Sequence, residues 1–257
     1  MRISLIQYDI AWENKESNLD FLSDQLKSLA GQTDIVVLPE MFSTGFSMKS
    51  SLLAEPMNGL TITTLKKWAD KYDFAIAGSF ICNENEHYFN RAFFIPPQKP
   101  LFHYDKRHLF RMGEEPQHFH AGEQTGLFTY QGWNIRLAIC YDLRFPVWLR
   151  NSNNAYDLLL LVANWPASRI QVWDTLLAAR AIENQCYVCG VNRIGTDGLG
   201  LPYPGHSMLL DARGKCLIRS ADNQTAISTV EIQLDALQHF RKKFPVWKDA
   251  DNFEFTP

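Results

Sequence analysis

The segment 157–163, DLLLLVA, is apolar almost from end to end. A strand with no polar alternation has both faces covered, as in a sheet that is itself sandwiched. A shorter β-branched run, DIVVLP at 34–39, reads the same way. Around these two segments, strand-like and helix-like patterns alternate along the chain. Further strands are expected at 3–8, 74–80, 88–95, 101–106, 133–139, 186–192, 206–211, 215–220 and 226–232. A polar NENE turn closes the segment 74–80, and PPQKP separates 88–95 from 101–106. Ala212-Arg213-Gly214 joins two strands as a hairpin. Helical stripes are carried by Leu19, Leu22, Leu26 and Leu29, introduced by a capping-box pattern at Ser17 and Asp20. Two more run through Ile62, Leu65, Ala69 and Tyr72, and through Ile170, Trp173, Leu177 and Ala181. Strands outnumber helices and several are consecutive. The pattern therefore predicts an α/β protein with two sheets between helix layers, rather than one doubly wound sheet. A dinucleotide-binding reading also lacks its G-x-G-x-x-G loop.

The 257 residues suffice for one or two domains, with a core that needs no disulfides. There is no linker rich in Pro, Gly or Ser, no internal repeat and no low-complexity tract. Lys and Arg number 25 against 28 Asp and Glu, a net charge of −3 that argues against a nucleic-acid surface. The five cysteines, an odd number, read as reduced thiols in a cytoplasmic protein. The first residues lack the long apolar stretch of a signal peptide. The longest apolar run, 158–163, falls far short of the ~20 residues of a membrane helix.

Three residues combine into one chemical set. Cys140 ends the strand NIRLAIC, where an α/β protein commonly faces a ligand crevice. With a helix beginning just beyond, across 145–150, backbone N–H groups there would favour a thiolate and a developing oxyanion. A buried cysteine acting as a small hydrophobe explains the position as well. Glu40 ends VVLPEMF; a carboxylate directly after an apolar run is costly to desolvate without a partner, a setting that suits a general base. A solvated loop acid is the alternative. Lys106, in HYDKRHLF, is either an oxyanion donor beside a carboxylate or a snorkelling surface lysine.

Together, Glu40, Lys106 and Cys140 in LPE, YDK and CYDLRFP resemble the nitrilase, or carbon–nitrogen hydrolase, superfamily. The resemblance covers nearly the whole chain, including RAIENQCYV and the GHS segment at Gly205. It implies one four-layer α-β-β-α sandwich domain over 1–257. CYDLRFPVW, VANWPASR and KFPVWKDAD look like the bacterial omega-amidase branch, which hydrolyses the amide of 2-oxo dicarboxylic acid monoamides such as 2-oxoglutaramate and 2-oxosuccinamate. Many superfamily relatives carry Glu where this chain has Val147, a departure that agrees with the omega-amidase branch.

The resemblance implies that Cys140 is the nucleophile and Glu40 its base, with Lys106 and the backbone N–H of Tyr141 holding the oxyanion. A second carboxylate follows the lysine motif in the family; of Glu114 and Glu115, counting back from Ala121-Gly122 favours Glu115, unless the pair is a solvated acidic loop. Arg144 is the candidate to meet the substrate carboxylate with its bidentate fork, or else pairs with an acid. Phe42 and Trp165 either wall the pocket or pack in the core. A homodimer with sheets stacked across the interface is a further implication, and no cofactor or metal is expected.

Other signals are set aside. Cys186 and Cys189, three apart on a strand, point to opposite faces and cannot share a metal. Cys82 and Cys216 are expected to be packing residues like them. His118 and His120 have no cysteine nearby to complete a zinc set. Asp142 reads as a structural acid. The competing functions are another carbon–nitrogen hydrolase, a nitrilase or carbamoylase, and a scaffold that has kept the fold without turnover.

Overall fold

The computed structural model describes residues 1–251 and 253; the remainder of the expected 1–257 domain lies outside the described residues. Five strands open the chain: β1 (Arg2–Gln7), β2 (Ile35–Val37), β3 (Ala75–Glu84), β4 (His87–Ile95) and β5 (Phe102–Asp105). Then come β6 (Leu127–Tyr130), β7 (Trp133–Ile139), β8 (Leu158–Ala163) and β9 (Tyr187–Asn192). A small hairpin of β10 (Ile194–Thr196) and β11 (Pro202–Pro204) precedes β12 (Met208–Leu210), β13 (Cys216–Arg219) and β14 (Ala226–Glu231). The longer helices are α1 (Lys15–Ser28), α2 (Leu60–Tyr72), α3 (Ile170–Asn184) and α4 (Leu234–Lys243).

Two six-stranded sheets result, ordered β14-β1-β2-β3-β4-β5 and β13-β12-β9-β8-β7-β6. Each has three parallel strands at its heart, β1-β2-β3 and β7-β8-β9, with antiparallel strands outside. The period-2 alternation of a strand decides which layer each side chain joins. Ile3, Leu5, Ile35 and Val37 face the second sheet and share a core with Ile135, Leu137 and Leu160. Their neighbours Ile6 and Val36 face the other way, against Leu22 and Leu26 of α1 and Ile62 and Leu65 of α2. On the far side, Trp173, Leu177 and Ala181 of α3 pack over the second sheet. This is the expected four-layer α-β-β-α sandwich, and β8 is buried at every position from Leu158 to Ala163. Among the described residues no helix is long and apolar enough to cross a membrane.

Several boundaries differ from expectation. α1 begins at Lys15, because Asn14 rather than Ser17 is the cap: its Oδ1 accepts the Ser17 N–H at 3.0 Å. β3 runs on through Asn83 and Glu84, which pair with Tyr88 and His87, so the turn shrinks to Asn85-Glu86. Both turn residues have positive φ, the geometry that suits a two-residue hairpin. No helix spans 145–150; Cys140–Arg144 forms a short 3-10 turn instead. Pro146 disfavours helical backbone at Phe145 before it. Of the elements named above, β6, the β10–β11 hairpin and α4 were not predicted by the patterning.

Candidate active site

The C-terminal ends of the strands converge. Glu40 lies three residues past β2, Lys106 directly follows β5, Cys140 follows β7 and Asn164 follows β8. Cys140 adopts φ +42°, and Met41, next to Glu40, adopts φ +43°. For residues with a Cβ, such backbone is sparsely populated and has to be held in place by its surroundings. Lys106 is held by main-chain bonds on both sides. Its N–H donates to the Asn90 carbonyl at 3.0 Å, and its carbonyl accepts the Gly122 N–H at 3.0 Å. A Cβ on Gly122 would collide with the Asp105 main chain, so only glycine permits this approach.

Glu40, Lys106 and Glu115 are all fully buried. Lys106 Nζ donates to Glu40 Oε1 at 2.9 Å and to both Glu115 oxygens at 3.0 Å. Glu115 also accepts the Phe110 N–H at 2.6 Å. Its neighbour Glu114 is exposed, so Glu115 is the acid that reaches the lysine. The Asn164 N–H donates to Glu40 Oε2 at 2.7 Å. Cys140 is half-buried, and its Sγ lies 3.9 Å from the Asn164 carbonyl.

Burial shapes the charges. It raises the Cys140 thiol well above its ordinary value, and Glu40 adds to the rise while Lys106 opposes it. Burial would depress the Lys106 ammonium, but Glu115 and Glu40 outweigh it and hold the lysine charged. The Glu115 carboxyl is raised by burial, against the pull of Lys106 and with a push from Glu40. Burial thus favours the neutral thiol at Cys140, while the two glutamates favour the charged ammonium at Lys106.

A cavity of about 310 Å³ opens onto Lys106, Cys140 and Asn164. That is small for a ligand pocket and suits a small molecule. Tyr141, Trp165, Phe46, Phe110 and Tyr203 supply aromatic wall, and Met112 and Leu199 are exposed at its edge. Tyr141 is the second residue of the 3-10 turn, where no intrahelical acceptor exists for its N–H. Arg144 lies 5.2 Å from the Trp165 ring and Arg169 lies 5.4 Å from Phe110, both on the cavity wall. Among the described residues neither arginine pairs with an acid. Asp197 also lines the cavity, but it is engaged by the Leu199 and Leu201 N–H groups and the Tyr203 hydroxyl.

Phe42 does not reach the cavity. The turn at Met41 sends it into the helix-side core, edge-on to Phe93 with ring centroids 5.9 Å apart. Asp142 is a structural acid: it accepts from the Tyr104 hydroxyl, the His108 N–H and the Ile139 N–H at 2.8–3.0 Å. It thereby ties the lysine segment to the cysteine turn. Cys82, Cys186 and Cys189 are buried, whereas Cys216 is exposed because β13 is an edge strand. His120 stacks on His87, with centroids 4.1 Å apart. Ser79 and Asn90 carried no signal in the sequence, and Arg169 was present only as the last residue of VANWPASR. Asn164 carried a usable signal, since it ends the buried strand β8 just as Cys140 ends β7.

Comparison with known proteins agrees with this geometry. The carbon-nitrogen hydrolase family model matches residues 2–242. Omega-amidase YafV of Yersinia enterocolitica is 43% identical over 253 residues, covering 98% of each chain. A 2-oxoglutaramate amidase of Bacillus subtilis is 32% identical over 96% of each. A CN-hydrolase superfamily protein from Xanthomonas campestris, solved with an arsenic adduct in its active site, superposes with a TM-score of 0.97 at 40% identity, covering 100% of this chain and 99% of its own. With sequence, fold and strand-end geometry in agreement, the chain belongs to the carbon–nitrogen hydrolase family.

Proposed function

We propose that this chain is an omega-amidase, which hydrolyses the terminal amide of 2-oxo dicarboxylic acid monoamides such as 2-oxoglutaramate and 2-oxosuccinamate to the acid and ammonia. The observation that supports this most is the Lys106 ammonium shared between Glu40 and Glu115 beside Cys140. The names and extent of the omega-amidase relatives narrow the substrate class.

In this reading Glu40 takes the Cys140 proton as sulfur attacks the amide carbon. The carbonyl oxygen gains negative charge and is held by the Lys106 ammonium and the Tyr141 N–H. Collapse of the tetrahedral intermediate breaks the C–N bond, and the proton on Glu40 goes to the leaving ammonia. Glu40 then takes a proton from water as that water attacks the thioester. The acid departs and the proton returns to sulfur. Glu115 fixes Lys106 throughout. Arg144 meets the substrate carboxylate, Arg169 offers a second cation on the same wall, and Trp165 holds Arg144 in place.

The family resemblance further supports a homodimer, and the odd number of cysteines supports a reducing compartment such as the cytoplasm. Light scattering at twice the chain mass is the expected result for the dimer; the mass of a single chain would contradict it. For the activity, the test is ammonia release from 2-oxosuccinamate, a simple nitrile and an N-carbamoyl amino acid. Turnover of the oxo-amide is expected to dominate. Turnover of the nitrile or the carbamoyl compound alone would replace this reading with the corresponding relative.

A further inference from the structure

Two neutral residues stand behind the charged cluster, and the mechanism above does not use them. Asn90, on β4, and Ser79, on the paired strand β3, are both fully buried. Asn90 Nδ2 donates to Glu40 Oε1 at 2.7 Å and to Glu115 Oε1 at 3.1 Å. Its Oδ1 accepts the Ser79 hydroxyl at 3.0 Å, and the Ser79 oxygen in turn accepts the Met41 N–H at 2.9 Å. This chain of donors fixes which way the amide points. A flipped Asn90 would set its oxygen against two carboxylate oxygens.

The acceptor positions of the two carboxylates are filled unequally. A carboxylate has about four lone-pair positions, two on each oxygen. On Glu115, Oε1 accepts from Lys106 and Asn90, and Oε2 accepts from Lys106 and Phe110. Every position is filled, so Glu115 takes a proton only by losing a hydrogen bond. On Glu40, Oε1 is likewise filled by Lys106 and Asn90. Among the described residues Oε2 accepts the Asn164 N–H, which leaves its second position for a proton from the Cys140 side.

We infer that Asn90, oriented by Ser79, is a positioning residue that closes Glu40 Oε1 and Glu115 Oε1 to protons and leaves Glu40 Oε2 as the single base of the site. It assigns distinct roles to two carboxylates that share one ammonium: Glu40 moves protons and Glu115 does not. Asn90 lies outside the cavity wall, so it acts on the glutamates and not on substrate. The titratable groups facing it are Glu40, Glu115 and Lys106, with Cys140 beyond Glu40.

The inference deepens the proposed hydrolysis but does not depend on the identity of the amide. Asn90→Asp is nearly isosteric and replaces the donor with an acceptor; Ser79→Ala removes only the group that orients the amide. Donors to a carboxylate favour its charged form, so losing them moves the acid limb of turnover to higher pH. For Asn90→Asp we expect kcat to fall about 100-fold, KM to stay within about twofold, and the acid limb to rise by about one pH unit. Ser79→Ala should shift the limb in the same direction by less. The pH profile of Cys140 alkylation by iodoacetamide should move with it, and that arm needs no amide substrate. A raised KM with an unmoved pH profile in both readouts would overturn the assignment, as would wild-type kcat in folded Asn90→Asp. If Asn90→Asp does not fold, an unmoved acid limb and alkylation profile in Ser79→Ala would overturn it. Failure of the oxo-amide to turn over, with the alkylation shift intact, would count against the substrate reading alone.

Discussion

Lys106 Nζ lies 2.9 Å from Glu40 Oε1, and neither side chain reaches solvent. A buried pair of this kind is poor value as a stabilising device, because desolvation offsets much of the attraction. Its persistence at the end of two strands fits a site where charge develops during reaction. Lys106→Met would leave Glu40 and Glu115 facing each other without a cation. The expected loss is about 3–5 kcal/mol of stability by urea unfolding and about 100- to 1,000-fold in turnover. Wild-type turnover in the folded variant would remove Lys106 from the mechanism.

Glu115 sets an acid limit. Its carboxyl is raised above the ordinary carboxylate value, chiefly by burial. As pH falls through that raised value it protonates, loses a hydrogen bond and slackens the hold on Lys106. Activity should therefore fade on the acid side at a higher pH than for a solvated glutamate. Glu115→Gln abolishes this titration and should lower kcat at every pH while changing the shape of the acid limb. An acid limb unchanged in Glu115→Gln would contradict the assignment.

The arginines are expected to act on binding. A hydrogen bond to a charged group contributes about 1.5–3 kcal/mol, so Arg144→Ala should raise KM for a carboxylate-bearing amide about 10- to 100-fold. An uncharged amide of the same length should show no such change. Arg169→Ala should show the same selectivity to a smaller degree. Equal losses on charged and uncharged amides would mean that the arginines only shape the wall.

The sandwich was legible in local signals, whereas the candidate trio Glu40, Lys106 and Cys140 became legible only through the resemblance of LPE, YDK and CYDLRFP to one family. Apolar strands ended abruptly at Glu40 and Cys140, and the helical stripes of α1, α2 and α3 had clean spacing. Phe42 was ambiguous because adjacency to Glu40 says nothing about direction; the positive φ of Met41 turns it into the core. Asn90 and Ser79 were illegible for a different reason. They are neutral residues within strands, and their role exists only once β3 pairs with β4 and Lys106 docks on Asn90. Glu114 and Glu115 were separable only by burial, which a backbone turn at Glu114 decides (φ +58°).

Alkaline pH should destabilise the fold. Burial pushes the Cys82 and Cys186 thiols up to about 12, from an ordinary 9.0. Between those values the unfolded chain releases protons that the folded chain retains. Stability from these groups is thus complete below pH 9 and falls as pH rises toward 12, because the native state binds more protons. Urea midpoints at pH 8, 9.5 and 11 should decline in that order, and Cys186→Ala should flatten the decline. A flat profile in the wild type would contradict the burial of these thiols.

The central claim is that amide hydrolysis passes through a thioester on Cys140, formed with Glu40 and Lys106. Rapid acid quench of the enzyme turning over 2-oxosuccinamate, followed by mass spectrometry of its peptides, tests this most directly. The expected result is an acyl adduct on the peptide that contains Cys140, absent in Cys140→Ala and in Glu40→Gln, with ammonia release lost in both. Ammonia release that persists in Cys140→Ala, or an adduct on any other residue, would contradict the account.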